Sequence, residues 1–160
     1  MYDTILVPTD GSDVAERAVE HALDLAKTYD AAVHALYVVD TSAVDIGLGT
    51  EQVDRIRQGQ FGDMPELEQR ASDATAVVAS KAAGRGLTVT EAVIGGQPHR
   101  QIADYADDHD VDLIVMGSAG RSGVRRALLG SVAERTLRTT RRPVLVVDAE
   151  TKSTESTETK

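Results

Sequence analysis

Residues 117–131 read Gly-Ser-Ala-Gly-Arg-Ser-Gly-Val-Arg-Arg-Ala-Leu-Leu-Gly-Ser, and the chemistry that composition suits is phosphate binding. Glycine has no Cβ, so backbone N–H groups can approach an anion closely and positive φ angles are accessible. Gly130 and Ser131 stand directly before a segment with helical spacing, where the unpaired N–H groups and dipole of a helix N-terminus would face the same anion. Arg121, Arg125 and Arg126 concentrate positive charge there in a chain whose net charge is −9. Ser131-x-x-Glu134 also has the form of a capping box, which predicts Ser131 as the N-cap; a capping hydroxyl can still face a phosphate. A second polar turn, Asp10-Gly11, stops the first apolar run. Its carboxylate is either a ligand or the acceptor of an Asx turn before the first helix.

The elements that would position these turns alternate along the chain. Residues 2–9 (YDTILVPT), 33–39, 87–94, 112–116 (DLIVM) and 143–147 (PVLVV) read as short buried strands. Between them, Ala15, Ala18, Val19, Ala22, Leu23 and Ala26 share one helical face over 12–29, and Leu67, Ala71, Ala74, Val78 and Ala82 share another after Pro65. Residues 98–108, with Ile102, Ala103 and Ala106 inward, and 131–140 complete the helices. Strand–helix alternation of this kind implies right-handed crossovers and a parallel sheet covered on both faces, and near-continuous Val/Ile/Leu runs fit strands buried on both sides. Ligands in such sheets sit beyond the carboxyl ends of the strands, at a switch in strand order. The loops at 8–12, 38–41, 95–98 and 117–123 are therefore where a site should assemble.

Composition narrows the function classes. The 160 residues amount to one domain, expected over 1–148 with a mobile insert at 41–64 that carries a short helix at 51–58, and a disordered polar tail at 149–160. With one Phe, four Tyr and no Trp, the core must be aliphatic. No cysteine means no disulfide, thiolate metal site or cysteine nucleophile. No apolar run nears the roughly 18 residues of a membrane span, and the expectation is a cytoplasmic protein. Asp and Glu number 26 against 17 Lys and Arg, a balance that opposes nucleic-acid or membrane-surface binding. It fits either a salt-rich cytoplasm or an ordinary acidic protein.

Competing motifs are missing. No lysine follows any glycine, so there is no Walker loop, and no G-x-G-x-x-G follows the first strand. Asp104, Asp107, Asp108, Asp110 and Asp112 cluster near His109 but lack a calcium loop's glycine and terminal glutamate, and read as a solvated helix end. His21, His34, His99 and His109 are scattered, with no Ser/His/Asp grouping visible. Arg135, Arg138, Arg141 and Arg142 suit a helix C-terminus.

The spacing Gly117-x2-Gly120-x9-Gly130-Ser131 resembles the glycine signature of the nucleotide-binding branch of universal stress proteins. The resemblance extends through ILVPTDGS, YVVD, GGQP, LLGSVAERTLR and RRPVLVV, over residues 2–148. It implies an open five-stranded parallel sheet of order 3-2-1-4-5 with helices on both faces, Rossmann-like and of the adenine nucleotide α-hydrolase type. It also implies a site for ATP, or another adenine nucleotide, with Mg²⁺. Pro8, Thr9 and Asp10 would lie along the adenosine, with Asp10 beside the metal, and Val38 would meet adenine through its backbone. Gly117, Gly120, Gly130 and Ser131 would hold the phosphates, Met116 and Val132 would line the pocket, and Arg121 would add charge beside it. Pairing of two copies through the strand at 143–147 is a further implication. Ala119 departs from the His or Arg common at its position and removes one polar contact. The resulting expectation is a stress-response regulatory protein acting as a nucleotide-dependent sensor or switch. The alternatives are a slow ATPase, for which no catalytic Lys or Gln is evident, and a dimeric partner-binding module that does not use nucleotide.

Overall fold

The computed structural model describes residues 1–41, 65–119 and 129–148. Among the described residues five strands and four helices alternate: β1 (Thr4–Pro8), α1 (Asp13–Tyr29), β2 (Ala32–Asp40), α2 (Pro65–Ala83), β3 (Val89–Gly96), α3 (Pro98–Asp108), β4 (Leu113–Gly117), α4 (Ser131–Thr139) and β5 (Val144–Val147). All strand pairs are parallel and the order is β3-β2-β1-β4-β5, the order 3-2-1-4-5 that the sequence implied.

The alternation of side chains in β1 builds both halves of the core. Ile5 and Val7 face α1 and α2, packing with Val19, Leu23, Val78, Val33 and Val115. Leu6 faces the other way, among Leu36, Ile114, Met116, Ile102 and Ala106, on the side of α3 and α4. Ile5, Leu6 and Val7 have no exposed surface, and burying a side chain of this size stabilises the fold by about 1.5–3 kcal/mol. A central strand with both faces covered must therefore be apolar at every position, which is why β1 reads as an unbroken run.

Element ends shift from the expected ones for identifiable reasons. Ser12 is not helical but caps α1, accepting from the Ala15 N–H at 3.2 Å. β3 begins and ends two residues late because it tracks the nine-residue β2 as far as Asp40↔Gly96. Gly95 and Gly96 are thus strand residues and not part of a loop. At α4 the N-cap is Gly130, with no side-chain capping bond, and Ser131 is the first helical residue. The capping box expected at Ser131 and Glu134 is not formed: the Gly130 carbonyl accepts from the Glu134 N–H at 3.0 Å, and the Glu134 carboxylate pairs with Arg138 at 3.0 Å. Arg142 likewise reaches away from its own helix, to Asp107 at 3.1 Å and the Val111 carbonyl at 3.0 Å. The tail at 149–160 and, apart from Thr41, the insert expected at 41–64 with its short helix lie outside the described residues.

Candidate functional site

β1 is followed in sequence by β2 on one side and flanked by β4 on the other, so the strand order switches direction beside it. Its pairing with β4 covers only Ile5↔Leu113 and Leu6↔Ile114. Beyond those rungs the two strands separate, and a cleft opens at their carboxyl ends between the 9–12 turn and the segment from Met116 onward. Pairing with β2 continues to Pro8↔Leu36, and the Thr9 N–H still donates to the Leu36 carbonyl at 2.9 Å.

The turn after β1 is tightly determined. Thr9 is buried and its Oγ1 accepts from the Gly11 N–H at 3.1 Å, while Asp10 Oδ1 accepts from the Ser12 N–H at 2.9 Å. Gly11 sits at φ 80, a conformation that favours glycine. Asp10 therefore does form the Asx turn, and its carboxylate is held half-buried at the mouth of the cleft. On β2, N–H and C=O groups alternate between the two neighbouring strands with period two. Since Leu36 points at β1, Val38 points the same way, but β1 offers no partner past Pro8↔Leu36. Val38 thus presents a donor and an acceptor, side by side, to the cleft.

The other wall carries the glycines. A Cβ on Gly117 would lie 2.8 Å from Val14 Cγ1 of α1, and one on Gly130 would lie 3.1 Å from the Ala119 Cα and 3.2 Å from the Ser118 oxygen. Neither glycine has positive φ; among the described residues Gly11, Gly86 and Gly96 do. The freedom expected of Gly117 and Gly130 is therefore steric: each lets two pieces of backbone touch. The Gly130 N–H donates to the Ser118 carbonyl at 2.7 Å, so the start of α4 is pinned against the exit of β4. Ser131 is exposed at the first position of that helix, and Met116 is buried and Val132 half-buried beneath it. Pro8, Thr9, Asp10, Val38, Met116, Gly117, Gly130, Ser131 and Val132 thus all lie at one edge of the sheet. Gly120 and Arg121, with Arg125 and Arg126, lie outside the described residues.

Two features were not legible in the sequence. Ser118 is buried inside the glycine turn and makes hydrogen bonds through its N–H, carbonyl and hydroxyl; nothing in its spacing marks it. At the opposite edge, His34, Tyr105 and His109 come together, although the histidines looked scattered. His34 Nδ1 and the Tyr105 hydroxyl share a 2.7 Å hydrogen bond, and His109 stacks on Tyr105 at 3.8 Å between ring centroids. Burial, with a smaller repulsion from His109, holds His34 below its ordinary value of 6.5, and burial raises Tyr105. Among the described residues no three His, Cys, Asp or Glu converge as metal ligands, so the aspartates of 104–112 hold no such cluster. Nor is any helix among them long and apolar enough to cross a membrane.

The model of the universal stress protein family matches residues 1–148. Universal stress protein MJ0531 of Methanocaldococcus jannaschii is 40% identical over 148 residues, spanning 92% of this chain and 82% of that protein. MJ0577 of the same organism is 30% identical over 154 residues, spanning 92% and 95%. The solved structure of MJ0577 superposes with a TM-score of 0.73 at 29% identity, covering 94% of this chain and 99% of that one. A universal stress protein solved in complex with cAMP superposes at 0.67 with 27% identity, covering 91% and 97%.

Proposed function

This chain belongs to the universal stress protein family, and on that premise we propose that it is a cytoplasmic, nucleotide-dependent regulator that binds ATP with Mg²⁺ where β1 and β4 part. The observation that carries this reading is the convergence on one cleft of an unpaired backbone donor–acceptor pair, a polar turn and a helix start. Val38 offers N–H and C=O in the arrangement that the N1 and N6 edge of adenine complements. The Thr9–Asp10 turn lies where a ribose would extend from it. Gly130, Ser131 and the N-terminus of α4 then meet the phosphates, aided by Gly117, Gly120 and the charge of Arg121. A relative of this fold has been solved with cAMP, which supports an adenine nucleotide as the ligand class.

The residues present fit a magnesium ion carried by the nucleotide. Mg²⁺ is commonly held by one or two carboxylates together with substrate phosphates and water, and Asp10 supplies one carboxylate at the cleft mouth. Bound there, the ion would neutralise phosphate charge; this chain's own part is to bind and orient. Regulation follows if the protein's surface differs between the loaded and empty states, with the ligand shifting the balance by its difference in affinity. Mass spectrometry of small molecules released from the purified protein, followed by calorimetric titration with Mg-ATP, tests the reading. An adenine nucleotide released, and saturable binding of ATP, are expected. No ATP binding at millimolar ligand overturns it.

The edge strand favours a paired assembly. Among the described residues β5 pairs only with β4, Leu145 on it is 37% exposed, and Leu137 on α4 is 42% exposed. An apolar edge of this kind invites pairing, and we place a homodimer contact along 143–147, from Pro143 to Val147. Leu145→Glu is the informative variant, because its side chain is already exposed and the fold should tolerate the change. Light scattering should give a dimer for the wild type and a monomer for the variant; a wild-type monomer at micromolar concentration would refute the contact.

A further inference from the structure

Ser118 is engaged through every polar group it has. Its N–H donates to the Val147 carbonyl at 2.8 Å, its carbonyl accepts from the Gly130 N–H at 2.7 Å, and its hydroxyl donates to Asp148 Oδ1 at 2.9 Å. Both peptide planes that flank it are therefore fixed, one to β5 and the other to the start of α4. Because a trans peptide is planar, the Ala119 N–H must point opposite to the Ser118 carbonyl, and the Gly117 carbonyl opposite to the Ser118 N–H. What the turn presents to the cleft is set by this one residue.

Its anchor is itself anchored. Arg17 of α1 donates through Nε to the Asp148 carbonyl at 3.1 Å, and the same helix places Val14 against Gly117. α1 begins at Ser12, whose N–H is bound by Asp10. A connected path thus runs from the Asp10 turn through α1 and Asp148 to Ser118, and on to Gly130. With Ser118 6% exposed, its hydroxyl has little access to solvent to replace a lost acceptor.

We infer that Ser118 is a positioning residue which, anchored by Asp148, holds the Gly117 turn and the Gly130–Ser131 helix start in the relation that a phosphate chain needs. This rests on the nucleotide reading given above. A hydroxyl that only satisfied itself in the core would, when removed, weaken every ligand alike through general loosening. A positioning residue affects only the part of the ligand that the turn touches.

Titrating adenosine, AMP and Mg-ATP into the wild type and into Ser118→Ala, Asp148→Ala and Asp148→Asn separates these cases, with a melt of each variant beside it. Ser118→Ala and Asp148→Ala should each lower ATP affinity about tenfold, the equivalent of one hydrogen bond to a charged group. Adenosine affinity should change by less than about twofold, and AMP should fall between. Asp148→Asn keeps an acceptor and should stay near the wild type. The double variant Ser118→Ala/Asp148→Ala should be no worse than either single one, as expected when two groups share one interaction. Equal losses for adenosine and ATP, or undiminished ATP binding by Ser118→Ala, overturn the positioning role while leaving the nucleotide site in place. A wild type that binds none of the three ligands overturns the nucleotide reading and this inference with it. Should Ser118→Ala fail to fold, Asp148→Ala, altered at an exposed position, carries the same comparison.

Discussion

The two ends of the sheet are closed by different means. At the amino end, side chains reinforce the backbone bonds: Asp112 Oδ2 accepts from the N–H groups of both Asp3 and Thr4, at 2.8 and 2.9 Å. Arg142 holds the Val111 carbonyl and Asp107, Tyr2 meets Tyr29 edge-on, and the His34–Tyr105–His109 group joins β2 to α3. At the carboxyl end backbone bonds join neighbouring elements, Thr9 to Leu36, Ser118 to Val147 and Gly130 to Ser118, beside the side-chain bonds of the Asp10 turn and of Ser118 with Asp148. Glycines there let main chain lie on main chain. The difference matters for function. The turns and glycines of the carboxyl end leave main-chain groups, those of Val38 among them, beyond the last β1 partner. On the proposed function, recognition belongs to the second end.

Substitutions at the two ends should separate those roles, and the largest effect belongs to Gly130→Val. Its new Cβ would press on Ala119 and the Ser118 oxygen, so the change is expected to destabilise the fold by about 1–3 kcal/mol through overpacking. The displaced helix start should also lower ATP affinity by about a hundredfold, worth roughly 2.8 kcal/mol. Calorimetry beside a denaturant melt measures both; affinity equal to the wild type would remove the site from this edge. Asp112→Ala is the counterpart at the other end. It strips two N–H groups, one exposed and one part-buried, of their acceptor and should cost about 0.5–1.5 kcal/mol of stability with ATP affinity unchanged. A loss of affinity matching Gly130→Val would erase the distinction between the ends.

The strands and the faces of the helices were legible in the sequence because both rest on period, whereas the strand order came only from the family resemblance. Ile5, Leu6 and Val7 announce a strand covered on two sides, and Ala15, Ala18, Ala22 and Ala26 announce the face that covers it. The glycine turn was legible as a place, but its mechanics were not. Gly117 is required by Val14, more than a hundred positions away in the chain, and Gly130 by Ser118 and Ala119; no local pattern encodes such contacts. Ser131 illustrates the same limit. Its spacing to Glu134 matches a capping box, yet the bond from Gly130 to Ser118 fixes the chain's approach and makes Gly130 the cap. The His34 group was invisible for a related reason: its members stand 71 and 4 residues apart and meet only because α3 packs over β2.

That group gives the amino end a pH dependence of its own. His34 lies between Leu6 of β1 and Thr90 of β3 in register. From α3 it faces Tyr105, with His109 just past the helix end. Of the nearby carboxylates, Asp107 is paired with Arg142, Asp104 and Asp108 are exposed, and Glu91 pairs with Ala35 on the opposite face of the sheet. Burial, then His109, disfavours the cation, so the folded state binds the proton less readily than the unfolded chain. The stability this provides is complete above pH 6.5 and is lost as pH falls below it toward the folded value. One proton limits the slope to about 1.4 kcal/mol per pH unit. Glu20, held low chiefly by its hydrogen bond from Lys81, loses its share only below 4.5, so its loss begins at lower pH than that of His34. Melts from pH 7.5 to 5 should show a decline that His34→Gln flattens; an identical decline in the variant would clear His34.

Ser131→Ala should have the smallest effect on stability and still discriminate. Read as an N-cap, the serine would be worth about 1 kcal/mol to the fold. In the structure it is the first residue of α4, exposed, and the cap is Gly130 with no side-chain bond. A surface substitution without such a role falls within about 0.5 kcal/mol of neutral, and alanine at that position keeps the backbone N–H that a phosphate would use. The melting temperature should therefore hardly move. The hydroxyl, however, stands at the N-terminus of α4, where on the proposed function an added donor would strengthen the hold on an anion. ATP affinity should drop about fivefold, within the worth of one hydrogen bond, with adenosine unaffected. Paired loss of stability and affinity would mean that Ser131 caps the helix after all. Loss of neither would confine phosphate recognition to the backbone.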